Sequence, residues 1–291
     1  MQEEGLKALF PEGKIVERRQ DEEGMFFLPL SEGRWFSLAI KELTARERVL
    51  LGELFPQTEA VSANPWYRYF VQHKGDLPQP AQALQFIHVY LRTPVADKEA
   101  LQGWLDMMAA LLPNQLGWFQ ASHQSYVFVL EQSQLLAVRE VLQDTLSAME
   151  FDFGLSLTIF LGQVWPQAVQ SWQTLYQAEH QLLSLWLSSH QQSKVLGFGQ
   201  LYLWGLSQAS RLLDPLQQQL ALMIASQEEL SDSILALWEE TAVVTKAAQR
   251  LYIHRNTLNY RLDKWQELTG LELRNLTDLA LCYQVLQTSL R

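Results

Sequence analysis

The spacing of hydrophobic residues among polar ones changes along the chain, and these changes divide its 291 residues into segments. Near the start, two short apolar runs, MFFLPL and WFSLAI, flank Ser31–Arg34, which predicts a β-hairpin with a four-residue loop. A capping box that begins at Thr44 predicts a helix to about Phe55. Residues 1–78 are therefore expected to form a small α+β region, and His73–Gln82, which spans the end of this region, is expected to be a linker rich in proline and glycine.

Residues 79–190 change repeatedly between the strand period and the helix period. The strands are expected at LQFIHVYLR, LGWFQA, YVFVLE and GLSLTIFLG, and the helices at Asp97–Leu112, Leu135–Met149 and Pro166–Leu187. LGWFQA and YVFVLE are expected to pair as a hairpin around Ser122–Ser125. The order β-α-β-β-α-β-α predicts a ferredoxin-like antiparallel sheet backed by helices, and an α+β fold class for the chain.

The last part of the chain has the helix period. Residues 191–227 are expected to be linking helices, and residues 228–291 an all-α domain. Within this domain the run TKAAQRLYIHRNTLNYRLDKWQELTG, residues 245–270, predicts a helix, a tight turn and a second helix. Thr245 is expected to cap the first helix and His254 the second.

The second of these helices is expected to pack through one apolar face. Leu258, Leu262 and Trp265 recur at helical spacing and form its inward stripe. Ile253, in the turn before it, is expected to be buried, and Gly270 is expected to end the helix.

Polar residues occupy the opposite face of this helix. In a helix-turn-helix, the N-terminal part of the second helix enters the DNA major groove. There Arg suits guanine and Asn suits adenine, because each can make paired hydrogen bonds to one base. The side chains expected to read bases are Arg255, Asn256, Asn259 and Tyr260. Those expected to bind phosphates are Thr245, Lys246, Arg250, His254, Thr257, Arg261 and Lys264.

The distribution of charge supports this interpretation locally. The whole chain carries 22 Lys and Arg against 32 Asp and Glu, a net charge of −10. Between Lys246 and Lys264 the balance is reversed, with five basic residues against one acid, Asp263. A short positive patch on an acidic protein favours site-specific DNA binding, because DNA repels the rest of the body. Spacing and charge alone leave open a helical bundle with a solvated charged face.

The run TKAAQRLYIHRNTLNYRLDKWQELTGLELRNLTD resembles the C-terminal helix-turn-helix domain of the PucR/CdaR family of bacterial transcriptional regulators. The match rests on an I-H-R-N-T-L-x-Y-R-L core followed by an L-T-G-L-x-L-R segment. The resemblance implies a DNA-binding domain from about Glu228 onward. It places Arg255, Asn256, Thr257, Asn259, Tyr260 and Arg261 at the family's recognition-helix positions.

The middle segment resembles the degenerate GGDEF-like domain that precedes the helix-turn-helix in many members of that family. Active relatives carry a Gly-Gly-acid-acid-Phe motif on the hairpin turn, whereas Ala121–Tyr126 has no glycine pair and no acid. A phosphoryl-transfer site needs carboxylates to hold its divalent ions. The resemblance therefore implies a regulatory domain without cyclase activity, and no enzyme activity is expected.

Composition excludes several other classes of site. The six histidines are scattered and there is one cysteine, so no metal site and no cofactor are expected. Gly197 and Gly199 lack the third glycine of a dinucleotide fingerprint and are interpreted as a hinge. Cys282 lies in an apolar helical stretch and is expected to be buried. Without a signal-peptide pattern or an apolar run of about 18 residues, the protein is expected to be cytoplasmic and not membrane-bound.

The sequence thus predicts a transcriptional regulator whose partner is double-stranded operator DNA and whose upstream segments sense a signal or dimerise. One recognition helix contacts only a few base pairs, so a homodimer or higher oligomer is expected. The apolar stripe of the helix at Pro166–Leu187 is either a self-association surface or a cover for the sheet. A small-molecule effector is compatible with the sequence, but no ligand is indicated. The alternative is an interaction protein that does not bind DNA, against which Arg255–Thr257 and Arg261 argue.

Overall fold

A computed structural model describes most of the chain, namely residues 3–16, 25–30, 34–44, 46–47, 63–92, 98–122, 124–132, 138–166, 171–190 and 192–289. The chain divides into two compact units. The first comprises residues 1–78 with 119–123, and the second comprises residues 79–118 with 124–291.

In its described residues, the first unit contains a three-stranded antiparallel sheet and two short α-helices. Its elements are α1 (Glu3–Leu9), β1 (Lys14–Val16), β2 (Met25–Pro29), β3 (Trp35–Ala39) and α2 (Pro65–Phe70). The strand order is β1-β3-β2. Strands β2 and β3 pair as the hairpin pattern predicts, whereas residues 31–33 of its loop lie outside the described residues. Alternate apolar side chains of both strands, including Leu28 and Phe36, form the core of this sheet.

The capping box that begins at Thr44 is confirmed. The Glu47 carboxylate accepts from the backbone N–H of Thr44 at 2.8 Å, and the Glu47 backbone N–H donates to the Thr44 hydroxyl at 3.2 Å. The helix expected to follow as far as Phe55 lies outside the described residues. The predicted linker, His73–Gln82, has neither helix nor strand.

The second unit begins with a mixed sheet covered by helices. Its elements as far as the sheet edge are β4 (Ala83–Leu91), α3 (Lys98–Leu111), β5 (Gln115–Ser122), β6 (Ser125–Glu131), α4 (Val138–Phe153), β7 (Leu157–Leu161), β8 (Trp165–Pro166), α5 (Trp172–Ser189) and β9 (Lys194–Gly197). The strand order is β5-β6-β4-β7-β9, and β8 pairs with β4. β4 is antiparallel to β6 and to β7, whereas β9 is parallel to β7.

Both faces of the central strands are buried, which explains their nearly continuous apolar sequence. Ile87 and Val89 of β4 pack in one core with Trp104 of α3 and Leu142 of α4. On the other face, the ring of Phe86 contacts Tyr176 of α5. The apolar stripe of α5 covers this face, because Leu175, Leu182, Leu183 and Trp186 are all buried within the chain.

The strands and helices predicted for residues 79–190 are present, but the hairpin turn and the start of the last helix differ, and strand β8 was not predicted. The hairpin expected around Ser122–Ser125 has strands that include both of these serines. The helix expected from Pro166 begins at Trp172, because Pro166 pairs in β8 and Ser171 caps the helix through the Thr174 N–H. Strand β9 was not predicted.

The hinge predicted at Gly197 and Gly199 is instead a place of close packing. A Cβ at Gly197 would lie 3.1 Å from Nη1 of Arg139, and one at Gly199 would lie 2.8 Å from Oδ1 of Asp278. Both glycines belong to the second unit, where β9 passes directly into the next helix. Local glycine content indicated flexibility, but these glycines make room for charged side chains.

The rest of the second unit is a set of packed helices. They are α6 (Phe198–Gln208), α7 (Asp214–Ala225), α8 (Leu230–Glu239), α9 (Val244–Arg250), α10 (Arg255–Thr269) and α11 (Leu276–Ser289). Helix α11 contacts α6, α7 and α8, and the Cys282 thiol on it is buried as predicted. Among the residues that the structure describes, no helix is long and apolar enough to cross a membrane.

Candidate nucleic-acid interface

Helices α9 and α10 form a helix-turn-helix with a sharp turn between them. The Tyr252 backbone has φ +56°, the left-handed conformation that commonly ends a helix. The Ile253 N–H donates to the Ala248 carbonyl at 3.0 Å and closes this turn. Ala247 and Ala248 are buried, and their small side chains let α10 approach α9 closely. Ile253, expected to be buried, is only half-buried because it lies at the rim of the turn.

The two predicted helix caps have different outcomes. Thr245 does not cap α9: the helix begins at Val244, after Thr241 and Ala242 make a turn with positive φ. That turn sets the helix start, and no side-chain cap bond forms there. His254 does cap α10, since its Nδ1 accepts from the Asn256 N–H at 3.2 Å.

The inward face and the end of α10 are as predicted. Leu258, Leu262 and Trp265 are buried. Gly270 follows the helix with φ +75°, and its N–H donates to the Gln266 carbonyl at 2.8 Å. These contacts fix the rotation of α10 and therefore determine which side chains face solvent.

Three of the four side chains expected to read bases are exposed. Arg255 and Asn256 lie in the first turn of α10, and Tyr260 is 68% exposed one turn later. Asn259 is half-buried, and its Oδ1 accepts from Nη2 of Arg274 at 3.0 Å. Paired recognition of adenine needs the amide's acceptor as well as its donor, so Asn259 can read adenine in this way only if Arg274 releases it.

Arg274 is a residue of this surface that the sequence analysis did not single out. It also donates to Oδ1 of Asp263 at 2.8 Å, and it thereby joins α10 to the segment that follows it. Arg274 stands at the end of the L-T-G-L-x-L-R segment. Its position in that motif is the feature of the sequence that could have identified Arg274 as part of this surface.

The side chains expected to bind phosphates fall into two groups. Thr245, Lys246, His254, Thr257 and Lys264 are exposed. Arg250 and Arg261 instead form ion pairs within the chain. Arg250 pairs with Glu239 and, at 3.6 Å, with Glu240, and Arg261, with 15% of its side chain exposed, pairs with Glu229. These acids lie outside the window of positive charge in the sequence, so counting charges within that window missed them.

Behind α10 lies a buried polar cluster formed by His88, Gln163, Trp165 and Glu179. Nε2 of His88 is 3.2 Å from Oε2 of Glu179, while Oε1 of Glu179 accepts from the Gln163 N–H at 2.9 Å and from Trp165 Nε1 at 2.8 Å. The side chain of Gln163 donates to the carbonyl of Thr269, the last residue of α10, at 2.6 Å. The cluster therefore connects the sheet directly to the end of the recognition helix.

Burial determines the protonation of this cluster. Removal from water raises the pKa of Glu179 to about 8 and lowers the pKa of His88 to about 3. The hydrogen-bond pattern agrees with two neutral groups: a protonated Oε2 of Glu179 donates to His88, and Oε1 accepts two N–H groups. Burial also lowers the pKa of the neighbouring His180 to about 3.

Within the described part of the chain, no group of three or more His, Cys, Asp or Glu side chains is placed to hold a metal ion. The predicted glycine-free turn lies between β5 and β6, and its His123 is outside the described residues.

Comparison with known proteins agrees with the helix-turn-helix geometry. Residues 230–287 match the family model of the PucR C-terminal helix-turn-helix domain. The chain is 42% identical over 81 residues to the carbohydrate diacid regulator of Escherichia coli strain K12, covering 28% of this chain and 20% of that protein. It is 36% identical over 76 residues to the proline-responsive transcriptional activator PutR of Bacillus subtilis strain 168, covering 25% of this chain and 18% of that protein.

Similarity to known proteins also extends over nearly the full length of the chain. The leucine-rich protein of Streptococcus dysgalactiae subsp. equisimilis is 32% identical over 294 residues, which cover 96% of this chain and 97% of that protein. The chain therefore belongs to the family of this streptococcal protein, and its C-terminal part is a PucR-type helix-turn-helix domain.

Proposed function

We propose that this protein is a transcriptional regulator that binds double-stranded operator DNA through α10. The observation that carries the proposal is the exposed polar first turn of α10, Arg255 and Asn256, on a helix whose rotation is fixed by a buried stripe. The PucR-type domain and the similarity to two named regulators support it.

The recognition helix carries two kinds of contact. In this proposal the exposed Arg255 and Asn256 pair with guanine and adenine edges in the major groove, and Tyr260 extends this surface by one turn. Lys246 and Lys264 are free to bind phosphates, which hold the protein on DNA without reading its sequence. Arg250 and Arg261 join them when their carboxylate partners are exchanged for phosphates.

The upstream region serves as a regulatory scaffold in this proposal. The β-α-β-β-α-β order and the antiparallel pairing of β4 with β6 and β7 support a ferredoxin-like arrangement of GGDEF-like descent. Because Ala121–Tyr126 contains no acid, the scaffold is proposed to lack catalysis. One recognition helix per chain favours a homodimer on two half-sites, and analytical ultracentrifugation with and without DNA measures that stoichiometry.

A titration of the full-length protein with labelled DNA from the promoter of its own gene tests the proposal. Asn256→Ala should lose about 1–3 kcal/mol of discrimination at one base-pair position, while the fold is preserved because the side chain is exposed. Lys264→Ala should weaken binding to every sequence about equally and reduce the salt dependence. Gln208→Ala, an exposed amide on α6, is the matched control and should bind like the wild type.

Two outcomes would contradict the proposal. One is an Asn256→Ala protein with unchanged affinity and sequence preference. The other is wild-type protein that binds promoter DNA no better than an unrelated duplex at every salt concentration. The second outcome would favour the alternative in which the helical domain is a docking surface for another protein.

A further inference from the structure

A cavity of about 530 Å³ lies inside the second unit, between the sheet and the helix-turn-helix. The volume is within the range of small-molecule sites in proteins. We call it the junction cavity. Its sheet side is formed by the ends of β7 and β9 and the first turn of α4, and its other side by the end of α10 and the first turn of α11.

Two opposite charges face each other across the junction cavity without forming an ion pair. Arg139 comes from the first turn of α4, and Asp278 from the first turn of α11. The guanidinium acts electrostatically on the Asp278 carboxyl, yet no salt bridge within 4.0 Å joins them. Among the described residues, no hydrogen-bond partner of the Arg139 side chain is found.

Two glycines lie close against these two charged side chains. A Cβ built on Gly197 would lie 3.1 Å from Nη1 of Arg139, and a Cβ built on Gly199 would lie 2.8 Å from Oδ1 of Asp278. The Gly197 N–H donates to Oε1 of Gln200 at 3.2 Å, so this N–H is already paired. The Arg139 side is suited to an anionic group because its guanidinium carries a positive charge and several N–H donors.

The Asp278 side is suited to a cation. Oδ2 of Asp278 accepts from the Glu272 N–H at 3.0 Å, whereas Oδ1 is directed at Gly199. Burial raises the pKa of Asp278, and that hydrogen bond and the distant Arg139 offset only part of the effect. A second carboxylate, Glu267, lines the same side. An ammonium group there would compensate the buried charge.

Apolar side chains complete the lining. Leu161, Val164, Phe198 and Leu271 lie between the charged residues, and they offer a surface for a hydrocarbon group. The cavity therefore presents an anion-binding side, a cation-binding side and an apolar remainder.

We propose that the junction cavity binds a free amino acid with an apolar side chain, its carboxylate at Arg139 and its ammonium group at Asp278. This ligand would bridge two charges that form no ion pair with any described residue. A simple carboxylate or a simple amine satisfies one of them only.

The cavity is placed to influence DNA binding, a consequence that rests on the function proposed above. Thr269 and Gly270, at the end of α10, line it. Gln163 also lines it and donates to the Thr269 carbonyl. A ligand between Arg139 and Asp278 thus connects α4 with α11 beside the end of α10, and its occupancy shifts the affinity for operator DNA.

Calorimetric and thermal-shift titrations of the full chain with each of the twenty L-amino acids, without DNA, test the site. At least one apolar amino acid should bind and raise the Tm. Its decarboxylated amine and its deaminated acid should each bind about tenfold more weakly or worse, since each loses one charge-assisted contact. Absence of binding by every amino acid, or equal binding of the amine or the acid, would overturn the proposal.

Variants separate this site from a nonspecific effect. Arg139→Gln and Asp278→Asn should each reduce the affinity about tenfold or more. Asp278→Asn still accepts the Glu272 N–H, so it is the variant expected to fold if Arg139→Gln does not. Arg211→Gln and Asp232→Asn, which remove the same charges at exposed positions of the second unit, should bind as the wild type does. Unchanged affinity in Asp278→Asn would refute the assignment.

The regulatory consequence is measured separately. Saturating the site should change the Kd for promoter DNA by at least about fivefold, and the Asp278→Asn protein should not respond. Amino-acid binding without a change in the Kd would overturn the regulatory part alone. Because the titrations use no DNA, their failure leaves the proposed DNA binding intact, and failure to bind DNA leaves the amino-acid site intact.

Discussion

The two sides of α10 lie in different environments, since one faces water and the other contacts the protein interior. On its outer face Arg255 and Asn256 are exposed to water, which satisfies their polar groups until DNA binds. Its inner end meets the buried polar cluster, where each buried group must be hydrogen-bonded or neutral. The outer face is therefore tolerant of substitution in the free protein, and the inner side is not.

The comparison also separates function from stability. Removal of a side chain from the outer face should affect DNA binding and leave folding intact. A change in the buried polar cluster should affect folding first, because His88, Gln163 and Glu179 each contribute to the same hydrogen-bond network.

Gly162→Ala should produce the largest loss of stability. Oε2 of Glu179 occupies the place where a Cβ would stand, and the Phe86 carbonyl would be 2.7 Å away. Neither the backbone nor the buried carboxyl can move freely, so the free energy of unfolding should fall by about 3 kcal/mol. Urea denaturation followed by tryptophan fluorescence measures this change.

Gly103→Ala is the control for that substitution. Its Cβ would meet only the half-buried side chain of Phe153, at 3.0 Å, which can give way. The two variants should differ clearly in denaturation midpoint. Equal midpoints would show that the space around Glu179 is less restricted than the structure indicates.

The neutral state of Glu179 predicts a specific dependence of stability on pH. A folded pKa of about 8, above the ordinary 4.5, means that the native state holds a proton that the unfolded state has lost. Stability from this group is complete below pH 4.5 and is lost as the pH rises through 8. Relative to Glu179→Gln, the wild type should therefore lose about 1 kcal/mol between pH 7 and 8.

Glu179→Gln is the informative variant because its amide can replace the protonated carboxyl. The amide nitrogen can donate to His88, and the amide oxygen can accept from Gln163 and Trp165. Denaturation curves at several pH values compare the two proteins. Parallel pH profiles for the wild type and Glu179→Gln would mean that Glu179 is ionised in the fold.

The two buried histidines, His88 and His180, affect the stability of the fold at acidic pH. Their folded pKa values, about 3, lie below the ordinary 6.5, so the unfolded state gains protons that the native state excludes. Stability from His88 and His180 is present above pH 6.5 and is lost as the pH falls toward 3. Together with Glu179 they place the stability maximum of this cluster near pH 6.5.

The smallest predicted effect concerns the outer face. Glu239→Gln combined with Glu240→Gln frees Arg250 from its ion pairs, and affinity for any DNA should rise by a few fold. The gain should shrink as salt increases. Anisotropy titrations at several salt concentrations measure it.

The control for this pair keeps the net charge equal. Glu12→Gln combined with Glu42→Gln removes two exposed carboxylates from the first unit. If both double variants gain the same affinity, total charge and not the pairing of Arg250 is responsible.

Sequence was most informative where the structural signal is local. The caps at Thr44 and His254, the inward stripe of α10 and the end at Gly270 all involve residues within a few positions of each other. The elements that were missed depend on distant partners. Strand β9 is recognisable only through its pairing with β7, because its four residues carry no clear period.

The same reasoning explains which site residues were predictable. Arg255 and Asn256 follow from a continuous motif, whereas the junction cavity joins Arg139 to Asp278 across much of the chain. Ion pairing of Arg261 with Glu229 depends on how α8 and α10 pack. Counting charges along a short stretch of sequence does not show this packing. Long-range packing also turned the two glycines at the start of α6 from an expected hinge into a site of close contact.

Selection of double-stranded DNA from a random pool by the full-length protein tests the central claim most directly. The account predicts that one sequence motif is enriched, as two half-sites whose centres are about one helical turn, or a multiple of it, apart. The same selection with Asn256→Ala should lose preference at one position of each half-site. Enrichment of no motif, or of the same motif at the same strength by Asn256→Ala, would contradict recognition of DNA by α10.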